Sequence, residues 1–153
     1  MFNIVLVNPE IPPNTGNISR TCAVTGTRLH LIRPLGFEIN DKTLKRAGLD
    51  YWKDLDVSYY DSFEELEAKY LYGRFFLTST HATRSYADVE YRDGDFLVFG
   101  RETAGLGPEL LTRRAKDAIR IPMRHDQRSL NLSNSAAIVL YEALRQTGFQ
   151  GLE

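Results

Sequence analysis

The sequence is poor in every feature that would tie it to an oxidising compartment, a membrane or a uniformly basic surface. It has one cysteine in 153 residues. That residue, Cys22, cannot form a disulfide within the chain, and a small buried thiol is its plain reading. No apolar run approaches the ~20 residues needed to span a bilayer. No basic segment followed by an apolar stretch opens the chain, so no signal peptide is expected. Excess charge is also lacking, since 19 basic side chains stand against 20 acidic ones for a net −1. General attraction to nucleic acid is thereby excluded, and any positive patch has to be local. His30, His81 and His125 are scattered without ligand spacing, so no metal site is expected. One soluble, cytoplasmic domain over residues 1–153 is the expectation.

Familiar nucleotide and hydrolase signatures are missing as well. Gly100 and Gly105 have the gap of a phosphate loop, but Leu106 and Gly107 follow where that motif needs a lysine and a hydroxyl. No strand–helix turn carries the dinucleotide fingerprint, and no GxSxG elbow is present. ATP hydrolysis, nicotinamide chemistry and serine hydrolysis therefore have no support.

What is present is an alternation of strands and helices. Residues 2–7 (FNIVLV) form a short β-branched apolar run that suits a buried strand. The prolines at 9, 12 and 13 predict a non-helical loop, after which Asn14 is placed to cap a helix ending near Gly26. Residues 28–33, 57–60, 74–80, 96–99 and 118–121 read as further strands. Residues 41–47, 62–70, 108–115 and 131–147 read as helices, with 82–95 polar and irregular. This order predicts an α/β domain with a mostly parallel sheet flanked by helices. In the last helix only Glu142 is charged between Ala136 and Leu144. Such a helix needs burial on more than one side, in a homodimer or at the centre of one chain.

Ligands in α/β sheets collect beyond the carboxyl ends of the strands. Three loops qualify: 8–17, 100–107 and 122–134. The second (GRETAGLG) is either a turn that needs glycine geometry or a backbone cradle carrying one carboxylate, Glu102. The third places Gln127, Arg128, Ser129, Asn131, Ser133 and Asn134 within eight residues, more than helix capping requires. Such donors and acceptors suit a neutral, hydrogen-bonding ligand. Asn17 and Arg20 share one face of the first helix, where the arginine is either solvated or a phosphate grip. Positive charge concentrates at Arg113, Arg114, Lys116, Arg120, Arg124 and Arg128, six residues against Asp117 and Asp126. A weaker cluster is Lys42, Lys45, Arg46 and Lys53. Either cluster is a solvated face or a place for RNA.

Taken together, NPEIPPNTGNISRTCAVTG (8–26), FLVFGRETAGLGPELL (96–111) and IRIPMRHDQRSLNLSNSAAIVLYEALRQ (119–146) resemble the three ordered motifs of SPOUT-class RNA 2'-O-methyltransferases. The resemblance runs nearly end to end, without a further RNA-binding domain. It is nearest to the minimal bacterial branch acting on the cytidine or uridine wobble nucleotide of tRNA-leucine. It implies a C-terminal deep trefoil knot, a homodimer and S-adenosyl-L-methionine as cofactor. It implies cofactor contacts from Leu77 or Thr78, Gly100, Ile121 and Ser129, with Asn131, Ser133 and Asn134 as the third motif. Arg20, Asn17 and Glu102 take the catalytic positions, with Arg20 gripping phosphate and stabilising a 2'-alkoxide, because arginine does not release its proton. The implied partner is a tRNA anticodon stem-loop held by the basic groups at 113–128. Ribosomal RNA, another tRNA position, and a non-catalytic dimeric RNA-binding module are the alternatives.

Overall fold

The computed structural model describes residues 1–39 and 52–153; the helix expected over 41–47, with Lys42, Lys45 and Arg46, lies outside the described residues. The strands are β1 (Asn3–Val7), β2 (Arg28–Ile32), β3 (Val57–Tyr60), β4 (Phe75–Thr78), β5 (Phe96–Phe99) and β6 (Ala118–Ile119). They form one sheet in the order β3-β2-β1-β5-β4-β6, each pair parallel. The described α-helices are α1 (Pro12–Thr25), α2 (Phe63–Lys69), α3 (Pro108–Arg113) and α4 (Leu132–Gln146), with short 3-10 turns at Trp52–Asp54, Tyr86–Asp88 and Ala115–Asp117.

The strands are apolar runs because both faces of the sheet are covered. Ile4, Leu6, Leu29, Leu31, Leu97 and Phe99 face α1 and α4 and pack on Ile18, Cys22, Val139 and Leu140. The alternate residues Val5, Ile32, Leu77, Phe96 and Val98 face Phe63 and Leu66 of α2, and Leu106. One side of α4, from Leu132 through Ala136, Val139 and Leu140 to Ala143 and Leu144, is therefore buried within the chain. Its outward side keeps Ile138 and Tyr141 exposed, and Val24 is exposed on α1.

Two expectations are corrected. Helix α1 starts at Pro12, with Ile11 as its N-cap, not at Asn14. The prolines do not delay the helix, because they fill first-turn positions whose N–H groups would have no partner anyway. Strand β6 stops at Ile119 because Arg120 bonds elsewhere: its N–H donates to Arg84 O at 2.8 Å, and its carbonyl accepts from Tyr86 N at 2.8 Å. Residues 82–95 are irregular, as expected, apart from a 3-10 turn at Tyr86–Asp88, and they bury Val89 and Tyr91. The Tyr91 N–H donates to Gln146 Oε1, and Gln146 Nε2 donates to Val89 O, both at 2.9 Å.

A polar group is built into the apolar sheet at His30, which is 1% exposed. The amide of Asn3 donates to the carbonyls of Gly94 and Asp95, which leaves its Oδ1 as acceptor for His30 Nε2–H at 2.9 Å. His30 Nδ1 is then the acceptor facing the Tyr60 hydroxyl at 3.0 Å. Burial pushes this imidazole down to about 4, with nearby Asp56 opposing. The neutral ring is favoured by folding, so stability is level above pH ~6.5 and falls between pH ~6.5 and ~4, as the unfolded chain alone gains the proton. The loss should reach about 3 kcal/mol. Urea unfolding across that range should show it in the wild type and a flatter profile in His30→Gln; equal profiles would remove His30 as the source.

Candidate active site

After β1 the chain builds outward through β2 and β3, then crosses to β4 on the far side of β5. A crevice opens at such a switch point, beyond the carboxyl ends of the strands. A cavity of about 520 Å3 lies there, and all three candidate loops contribute to it. Ile11 and Asn14 come from the first, Gly100 to Leu106 from the second, and Arg128 to Leu132 from the third. The segment after β4, Thr78 to His81, closes a further side.

One line of hydrogen bonds joins these loops. Glu102 Oε1 accepts from Glu10 N at 2.9 Å, and Oε2 accepts from Ile11 N at 2.6 Å and Asn14 Nδ2 at 3.3 Å. Asn14 Oδ1 accepts from Asn131 Nδ2 at 3.1 Å. Asn131 Oδ1 accepts from Ser133 Oγ at 2.6 Å and from Asn134 N at 3.1 Å, which also caps α4. A reciprocal contact backs the first: Glu10 Oε1 accepts from Thr103 Oγ1 at 2.7 Å and Thr103 N at 3.2 Å. Those bonds hold the Glu10 carboxyl below the usual carboxylate range.

The glycine loop has a steric reason. A Cβ on Gly100 would sit 2.1 Å from Gly105 C and 2.2 Å from Leu106 N, so the loop folds back onto a position that only glycine fills. Gly105 takes a φ of +65° and its N–H closes onto Arg101 O at 2.8 Å. Both readings of GRETAGLG hold together, a turn built on glycine and a cavity wall. On the neighbouring strand, Thr78 Oγ1 is buried and has no hydrogen-bond partner. A buried hydroxyl left this way is costly, and beside a cavity it points to a ligand donor or acceptor.

Of the residues singled out from sequence, Thr78, Gly100, Glu102, Ile121, Ser129 and Asn131 line the cavity. Leu77 does not: its side chain is fully buried in the core on the other face of the sheet. Strand alternation decides this, since Leu77 and Thr78 point to opposite faces. Ser133 and Asn134 act one step back, through Asn131. Asn17 and Arg20 lie on the exposed side of α1, outside the cavity lining. Asn14, Glu10 and Thr103 were not expected in the site. Asn14 reads from the sequence as a helix cap, and Glu10 and Thr103 are partners 93 residues apart.

The basic stretch 113–128 is not one free patch. Arg113 and Arg114 both hold Glu67, at 2.6 Å each, and Arg114 also binds Asp117 at 3.0 Å. Arg124 pairs with Asp126 at 3.5 Å, and Arg120 donates to Thr80 O. The excess expected from sequence therefore shrinks, because acids from α2 fold onto it. Arg128 reaches the cavity.

A model of the SpoU rRNA Methylase family matches residues 1–141. A tRNA (cytidine(34)-2'-O)-methyltransferase of Saccharophagus degradans is 52% identical, covering 99% of each chain. A solved structure described as giving insight into 2-OH methylation of C/U34 on tRNA superposes with a TM-score of 0.90, at 46% identity and 97% coverage of both chains. The SpoU methyltransferase AviRb of Streptomyces viridochromogenes, solved with the cofactor AdoMet, is 26% identical with a TM-score of 0.82, over 95% of this chain and 57% of that one. With the family match running over most of its length and a relative half identical along all of it, the chain belongs to the SpoU rRNA methylase family.

Proposed function

We propose that this chain is an S-adenosylmethionine-dependent ribose methyltransferase for the 2'-oxygen of the wobble nucleotide, a cytidine or modified uridine, in the anticodon loop of tRNA of the leucine type. The observation that carries this reading is the hydrogen-bonded line Glu102–Asn14–Asn131, which gathers three distant loops around one cavity. The activity of the Saccharophagus relative supports the substrate, and the AviRb complex supports the cofactor.

The residues present fit that cofactor. The cavity lies within the roughly 300–1,000 Å3 range of small-molecule sites. Thr78 offers an unpartnered hydroxyl and Gly100 a close backbone. Thr78, Gly100, Ile121, Ser129 and Asn131 would hold it, with Ser133 and Asn134 steadying Asn131. When bound, S-adenosylmethionine supplies a methyl group on a sulfonium. The chain's own part is to hold the 2'-oxygen in line and to support the charge that develops on it. Arg20 grips a phosphate with its fork and stabilises the alkoxide; a guanidinium does not serve as base. Asn17, on the same side of α1, helps to orient the RNA backbone. Glu102 is a positioning residue, its two oxygens occupied by three donors from the first loop and α1.

Arg20 lies about 240° around α1 from Asn14 and about 9 Å further along. It is turned away from its own cavity, and a homodimer would bring it to the cavity of a second copy. Val24, Ile138 and Tyr141 supply exposed apolar contact on the same two helices. Sedimentation should give the mass of two chains, and Tyr141→Asp should shift it toward one with loss of methylation. A fully active monomer would sink this arrangement. The C-terminal segment is inferred to be knotted and the chain to be one cytoplasmic domain; residues 80–91 are bonded to Arg120 and Gln146.

Mass-spectrometric mapping of ribose methylation, with and without the gene, tests the function. Loss confined to the wobble nucleotide is expected. Loss in ribosomal RNA or at another tRNA position would move the substrate, and no loss would overturn the reading.

A further inference from the structure

A second cavity, of about 310 Å3, adjoins the first and shares Ser79, His81 and Leu111 with it as common wall. Its remaining polar lining is Thr83, Arg84 and Lys116, and no carboxylate lines it. That composition is unusual for this chain, whose net charge is −1. The arginines nearby are engaged: Arg113 and Arg114 by Glu67, Arg124 by Asp126, and Arg120 by Thr80 O. Among the described residues, neither Arg84 nor Lys116 has a carboxylate within 4.0 Å. Asp117, next to Lys116, is held by Arg114 at 3.0 Å and does not line the cavity.

The frame that carries these cations is braced. Arg120 N donates to Arg84 O at 2.8 Å, and Ser85 bridges Arg120 in parallel register. The turn between the cavities is closed by Ala82 N on Ser79 O at 3.3 Å and His81 N on Ser79 Oγ at 3.1 Å. Two cations and hydroxyls on a braced frame, with no acid facing them, suit a phosphate group.

We propose that this second cavity is a phosphodiester subsite, in which Arg84 and Lys116 hold an RNA phosphate flanking the nucleotide whose ribose enters the first cavity. The shared wall makes the placement: a nucleotide at the mouth of one cavity carries its neighbouring phosphate to the other. The proposal rests on the methyltransferase reading above and assigns the RNA contact to these two residues rather than to the ion-paired arginines at 113 and 114.

The test is titration of a labelled anticodon stem-loop into the full-length protein across a salt series, for wild type, Arg84→Ala, Lys116→Ala and the double variant. Each single variant should weaken RNA binding about tenfold. Each should also lower the slope of log K against log salt by roughly 0.7–0.9. Affinity for S-adenosylmethionine should stay within about twofold of wild type, which separates a lost contact from a lost fold. Unchanged RNA affinity and slope in the double variant would overturn the subsite while leaving the methyltransferase reading intact. Wild-type protein that fails to bind or methylate the RNA would remove that reading and the subsite with it. Variants that lose affinity for inorganic phosphate but keep RNA affinity would mark a site for a free anion and overturn the proposal.

Discussion

Arg20→Ala is expected to lower the rate of methyl transfer by about 10²–10³-fold while cofactor affinity stays close to wild type. The reason is spatial as well as chemical. Arg20 is exposed on α1 and does not line the cavity, so its removal leaves Thr78, Gly100 and Asn131 where they are. What is lost is a fixed cation for the phosphate and the developing 2'-alkoxide. Arg20→Lys should recover part of the rate, since it keeps the charge but not the planar fork. Single-turnover transfer from labelled cofactor gives the rate, and calorimetry gives the cofactor affinity. Near-normal turnover in Arg20→Ala would remove the role given to this residue.

Gly100→Ala should have the second largest effect, on the fold of the site itself. The new methyl would meet Gly105 C at 2.1 Å and Leu106 N at 2.2 Å, backbone atoms that cannot rotate away. The loop would have to open, breaking the Gly105 N–Arg101 O bond and displacing Leu106, which is 5% exposed in the core. Overpacking of this kind costs about 3 kcal/mol. For a chain of this size that lowers the Tm by about 10 °C. Cofactor affinity should fall by more than about tenfold, since Gly100 and Leu106 both line the cavity. Gly107→Ala is the control, because a Cβ there meets nothing within 4 Å and its φ of −64° suits any residue. Calorimetric melting with and without cofactor decides the matter. A Gly100→Ala protein with wild-type Tm and affinity would show that the loop has slack.

The same physics explains which site roles the sequence disclosed. Gly100 was legible as part of a glycine loop, but whether that loop was a turn or a ligand wall depended on what folded against it. Arg20 was legible as a helical arginine facing outward. Its distance from its own cavity emerged only once Asn14 was seen facing inward from the same helix. Glu102 stood out as the one acid in the loop, whereas its bonds to Glu10, Ile11 and Asn14 span 88 to 92 residues. No local pattern encodes a pairing at that range.

The sequence by itself determined the alternation of strands and helices and the sheet's burial on both faces, because continuous apolar runs and helix punctuation are local signals. It also pointed to the three loops, since each follows a predicted strand's carboxyl end and the third carries more short polar side chains than helix capping needs. Tertiary structure alone decided that Thr78 rather than Leu77 faces the cavity, because register is set by pairing with β5 and β6 and not by composition. It alone decided that Arg113 and Arg114 are neutralised by Glu67 while Arg84 and Lys116 are not. Charge in a sequence can be counted, but what it faces depends on which distant segment folds beside it.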